Sequence, residues 1–143
     1  MRFYIATDHA GFAIKDDVIK ILESLGNEVT DLGPDSSNRV DYPDFAHKLS
    51  RRVLEEEGSF GVLICGTGIG MSLSANKHKG IRAALCHDAY TAQMAREHND
   101  ANVLCFGQRV VGLGVIESIC KAWCESEFQG GRHADRVKKI ETD

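Results

Sequence analysis

The chain has 143 residues and a formal net charge of -4, from 17 basic and 21 acidic side chains. That length suits one domain, residues 1–143, with a core of its own, and the acidic balance argues against a nucleic-acid binder. Apolar residues make up 43% and no apolar stretch reaches membrane-spanning length, so no membrane partner is expected. The N-terminus opens on a strand-like run rather than a signal peptide, which makes the cytoplasm the expected location.

In chain order, Phe3 to Thr7 reads as a buried strand. Ile14, Val18, Ile21, Leu22 and Leu25 then follow a helical period that Gly26 ends. Glu28 to Leu32 is a second strand, and Pro43 suits the first turn of a helix continued by Phe45 to Glu56. Val62 to Cys65 is the third strand; a glycine loop and a helix from Ser72 to His78 follow it. Ile81 to Cys86 and Val103 to Phe106 are strands four and five, on either side of a helix over Ala89 to Glu97. Gly112 to Glu127 is a longer helix. Such alternation predicts an α/β fold: a five-stranded parallel sheet, doubly wound, with helices on both faces. Gln129-Gly130-Gly131 then breaks the chain before a short basic helix, Arg132 to Ile140, with a thin apolar stripe. Arg132 and Arg136 share one face of it. The helix is either solvated, an anion clamp, or docked on another subunit.

Cys65 carries the most chemistry. It closes the run Val62-Leu63-Ile64 and opens the loop Gly66-Thr67-Gly68-Ile69-Gly70. Ligands of open α/β sheets sit beyond the carboxyl ends of the strands. A thiolate there can act as nucleophile or base, and glycine N–H groups can hold an anion. A free cysteine is equally at home as a small buried hydrophobe, so this segment alone leaves both readings open. The other cysteines (Cys86, Cys105, Cys120 and Cys124) show no disulfide framework and read as reduced, packed thiols.

Known nucleotide motifs do not fit. The loop is G-x-G-x-G after the third strand, not G-x-G-x-x-G after the first. A P-loop needs Lys and Ser/Thr after its last glycine; Thr67 and Gly68 follow Gly66 instead. A cysteine phosphatase needs an arginine near Met71. The six histidines lack metal spacing, so neither metal nor cofactor is expected. Polar residues do gather at predicted strand ends: Asp8 and His9, Cys65 and Thr67, His87 and Asp88, and His98-Asn99-Asp100 just before strand five. Together they predict a cleft. His47 and His78 fall on helices and read as surface residues.

Thr7-Asp8-His9-Ala10-Gly11, Asp41-Tyr42-Pro43, Cys65 to Gly70, Ala75-Asn76-Lys77, His98 to Val103 and Gly130-Gly131-Arg132-His133 together resemble ribose-5-phosphate isomerase type B. The wider family includes allose-6-phosphate and galactose-6-phosphate isomerase subunits. The resemblance implies a Rossmann-like homodimer, or a dimer of such dimers, with active sites shared between subunits and the C-terminal helix reaching the partner. It implies metal-free interconversion of aldose and ketose phosphates. Cys65 then matches the base, and His98 the residue that opens the furanose ring, with Thr67 and Asp8 assisting at the sugar oxygens. Gly66, Thr67, Gly68, Ile69 and Gly70 match the loop that holds the enediolate. His9, Arg132 and Arg136 match phosphate ligands; Asn99 and Arg109 match further binding positions. One branch of the family has serine for the cysteine and a glutamate just after the loop. Met71 stands there, so the thiolate branch is the consistent reading. Ribose 5-phosphate is the expected substrate. Six-carbon sugar phosphates, free aldoses and a non-catalytic nucleotide- or phosphate-binding module are the alternatives.

Overall fold

The computed structural model describes residues 1–142. Strands Arg2–Thr7 (β1), Glu28–Asp31 (β2), Phe60–Cys65 (β3), Ala83–Leu85 (β4) and Val103–Gly107 (β5) alternate with helices. The helices are Phe12–Ser24 (α1), Tyr42–Glu55 (α2), Ile69–Ala75 (α3), Ala89–Glu97 (α4), Leu113–Glu125 (α5) and Arg132–Lys138 (α6). All strand pairs are parallel, in the order β2-β1-β3-β5-β4.

The strand sequences explain why both faces are covered. Side chains alternate across a strand. Along β3, Val62 and Ile64 enter one core with Val18 and Leu22 of α1, Ala92 of α4, and Ile116 and Trp123 of α5. Leu63 and Cys65 enter a second core with Leu49 and Val53 of α2 and Met71 of α3. A strand apolar at every position can only be buried on both sides, and this one is. The expected doubly wound sandwich is the fold found.

The order reverses between β1 and β3: the chain runs outward from β1 to β2 and then returns past β1 to β3. Loops leaving the two strands diverge there and open a crevice, the usual ligand position of such sheets. Gly11 makes the close approach possible, because a Cβ on it would lie 2.5 Å from the Ile64 carbonyl oxygen.

Some boundaries differ from expectation. Helix α3 begins at Ile69, not near Ser72, because Gly68 takes a left-handed conformation (φ 81°) and turns the loop straight into the helix. Strand β4 is three residues long, not six. It is an edge strand, and the Asn76 side chain closes its open side, accepting from Ala83 N at 2.8 Å and donating to Ala83 O at 3.0 Å. His47 and His78 are not solvated surface residues. They are half-buried between α2 and the turn after α3, with Nδ1 and Nε2 2.6 Å apart in a hydrogen bond. No described helix is long and apolar enough to cross a membrane.

Candidate active site

Beyond β1, β3 and β5 lies a cavity of about 460 Å³, with Asp8, His9, Cys65, Thr67 and Arg109 in its wall. Cys65 is the last residue of β3 and is 5% exposed. Its Sγ accepts the Gly68 N–H at 3.0 Å, which holds the sulfur against the glycine loop. The loop is wedged from below. A Cβ on Gly68 would meet the Phe106 backbone at 2.8 Å, and one on Gly107 would meet Thr67 Cα at 2.5 Å. Side chains at those two positions would push the loop off the sheet.

Each loop group has a defined task. Thr67 Oγ1 accepts the Ile69 N–H at 3.2 Å, which leaves the hydroxyl proton to donate outward. Two of the five loop N–H groups, those of Gly68 and Ile69, are therefore committed to Cys65 and Thr67. Asp8 is buried, and its Oδ1 accepts the Gly11 N–H at 3.0 Å. His9 Nδ1 lies 3.3 Å from Val40 N and 3.2 Å from Val40 O. The ring can accept from the first or donate to the second, so Nε2 is the nitrogen left for a ligand. Arg109 donates its backbone N–H to Gly66 O at 3.0 Å, which brings its guanidinium over the loop.

The other cysteines are unsuited to proton transfer. Desolvation pushes the Cys86 and Cys120 thiols up to about 12 and raises Cys105 well above the ordinary range. All five cysteines are free. Met71, where the resemblance sets the glutamate of the serine branch, is fully buried in the core and is not part of the cavity wall.

The predicted cleft is corrected by the strand directions. His98, Asn99 and Asp100 precede β5, whereas Cys65 ends β3, and Gly107, not Val103, pairs with Cys65. Four strand residues separate the two levels, about 13 Å at 3.3 Å per residue. His98 and Asn99 thus stand at the opposite end of the sheet from Cys65. Arg132 and Arg136 lie with them: the His133 ring of α6 stacks on His98, with centroids 4.2 Å apart and planes 10° apart. Gln129 N donates to Glu97 O at 3.0 Å beside the stack. Asp88 caps α4, accepting Thr91 N at 2.7 Å, and neither it nor the exposed His87 lines the cavity. No cluster of metal-ligating side chains occurs among the described residues.

Three residues near these groups were given no role from sequence, although Tyr42 and His133 stand in the motifs that carry the resemblance. The Tyr42 ring closes the cavity beside Gly70, where a Cβ would come within 2.4 Å of it. Gln108, with its amide turned to donate, reaches Ala10 O at 2.9 Å and Gly11 O at 3.2 Å and ties the β1 loop to β5. His133 is the third. A position just past a strand end was the available signal for Gln108; for His133 it was the motif Gly130-Gly131-Arg132-His133, which says nothing of its contact with His98.

Comparison with known proteins agrees with this fold. The family model for Ribose/Galactose Isomerase matches residues 3–140. A putative sugar phosphate isomerase of Bacillus subtilis is 49% identical over 98% of this chain and 95% of its own length. Ribose-5-phosphate isomerase B of Escherichia coli is 48% identical over 93% and 89%. D-erythrulose-4-phosphate isomerase of Pectobacterium atrosepticum is 43% identical over 95% and 90%. Among solved structures, the Clostridium thermocellum ribose-5-phosphate isomerase B superposes with a TM-score of 0.94 at 49% identity, covering 98% of this chain and 95% of that one. A match over nearly the whole chain, in sequence and in fold, shows that the chain belongs to the ribose/galactose isomerase family.

Proposed function

We propose that this chain interconverts ribose 5-phosphate and ribulose 5-phosphate through an enediolate, with Cys65 as the base. The carrying observation is Cys65 itself: a sulfur held by the Gly68 N–H at the floor of a cavity, beside a loop of backbone donors. Isomerisation moves a proton between C2 and C1 and builds negative charge on the adjacent oxygens. The thiolate takes the proton from carbon. The uncommitted N–H groups of the loop, with Thr67 Oγ1 and Arg109, stabilise the oxyanion, the step at which preorganised donors act most strongly. His9 turns Nε2 toward the phosphate. Neither a metal nor a cofactor enters this scheme.

One subunit does not complete the site. Ring opening needs a proton relay, and a phosphate dianion needs cations. His98 and Asn99, with Arg132 and Arg136, supply these from the far end of the sheet. The proposed dimer is two-fold and sets the far end of one subunit against the Cys65 cavity of the other, so that each site takes residues from both chains. Exposed Ile69 and Leu73 on α3, at the rim of the cavity, supply apolar surface for that contact.

The test is a coupled isomerase assay across four-, five- and six-carbon aldose and ketose phosphates and the free sugars. Highest kcat/KM on ribose 5-phosphate is expected. The erythrulose-phosphate relative makes a four-carbon substrate the second reading, and allose or galactose 6-phosphate would be the six-carbon one. Adenine-nucleotide binding without turnover of any sugar would instead establish a binding module.

A further inference from the structure

Helix α6 has no buried residue. A seven-residue helix without a buried face does not fold on its own propensity. Two contacts join its approach and first turn to the body of the same chain. Gln129 is bonded to Glu97 through both backbone (3.0 Å) and side chain (3.3 Å), and His133 stacks on His98. The stack is nearly parallel, at 10°, and close, at 4.2 Å. His98 is the residue after α4, held on its other side by its N–H to Met94 O at 2.9 Å. Among the described residues no hydrogen bond holds either nitrogen of the His98 ring, so the stack on His133 is the contact that bears on the plane of that ring.

We propose that His133 is a positioning residue for ring opening: stacked on His98, it fixes the orientation of that imidazole and ties it to the helix carrying Arg132 and Arg136. The inference rests on the assignment of His98 made above. Desolvation, His98 and the two arginines push His133 below the ordinary histidine value. A neutral ring adds no third positive charge beside the guanidinium groups and can stack on His98 in either protonation state. Phosphate captured by the arginines and proton transfer at the ring oxygen then share one rigid joint.

Sugar chemistry separates this role from a merely structural one. Ribose 5-phosphate closes a furanose through its C4 hydroxyl and must be opened before C2 is exposed. Ribulose 5-phosphate has its C5 hydroxyl esterified and stays open-chain, so exchange of its C1 proton with solvent needs the base but no ring opening. For His133→Ala, turnover of ribose 5-phosphate falls about tenfold, a fraction of what a positioned acid contributes, while deuterium exchange at C1 of ribulose 5-phosphate stays within about twofold. His133→Phe keeps the aromatic stack and retains most of the ribose 5-phosphate turnover. Equal losses on both substrates, unchanged turnover in His133→Ala, or a Phe variant as impaired as the Ala variant each overturn the proposal. Absence of C1 exchange in the unaltered protein would overturn the isomerase assignment itself.

Discussion

The two halves of the site are built by opposite means. The Cys65 half is backbone wedged into the sheet: Gly68 and Gly107 leave no room for a Cβ, and Asp8 and Cys65 are almost wholly buried. The His98 half is side chains on a scaffold with little support: Asn99, Arg132 and Arg136 are exposed, and α6 buries nothing. The first half needs no partner to keep its shape. In the proposed dimer the second half works against the Cys65 cavity of another copy. In the proposed scheme the base Cys65 sits on the rigid half, where small displacements cost most in rate. In the same scheme His98, which opens the ring, and Arg132 and Arg136, which bind phosphate, sit on the less buried half, while His9 reaches the phosphate from the Cys65 half.

Breaking the rigid half should have the largest effect. Cys65→Ala should lower solvent deuterium wash-in at C2 by about 10³-fold or more, the upper range for a general base, with substrate binding kept. Met71 is buried and offers no carboxylate in place of the thiol. Near-normal wash-in would end the assignment of the base. Next, pairing a Cys65→Ala subunit with an Arg132→Ala/Arg136→Ala subunit should restore about half of wild-type activity in purified heterodimers, because one of the two symmetric sites is then intact. Heterodimers no more active than either parent would place both halves in cis.

His98→Asn should lower ribose 5-phosphate turnover about 100-fold and ribulose 5-phosphate proton exchange far less. Equal losses would move His98 into the isomerisation step. Two glycines sharpen the contrast through stability. Gly68→Ala forces a Cβ onto the Phe106 backbone at a left-handed residue and should cost about 1–3 kcal/mol in urea unfolding. Gly130 has φ 65° but nothing within 4 Å. Gly130→Ala should cost only the left-handed penalty, about 1 kcal/mol. Equal costs would mean that the loop is not wedged.

The smallest effect concerns pH and the His47–His78 pair. Desolvation, followed by His47 and Arg51, holds His78 below its ordinary value of 6.5. The unfolded chain then binds the proton more readily than the folded one. Stability contributed by the neutral ring is present above 6.5 and is lost as pH falls through that value. His78→Gln should flatten the fall in unfolding midpoint between neutral and mildly acidic pH. An unchanged slope would show that the pair carries no proton linkage.

Local pattern alone determined the ten elements of the sandwich. Apolar runs marked the strands, the 3.6-residue period marked the helices, and glycines marked the turns. The same local logic located Cys65 and its loop, because a strand end followed by glycines is a contiguous feature. Relations between distant residues were decided only by the tertiary structure. His98 and Cys65 both adjoin strands, yet parallel strands have two ends, and only the register of β3 against β5 shows that these residues occupy opposite ones. His47 finds His78, Gln108 finds Ala10, and His133 finds His98 across 31, 98 and 35 residues of chain. Periodicity reports which face a residue takes, not which residue it will meet there. That choice belongs to the packing of helices on the sheet, and here the packing decided which half of the site each polar group joined.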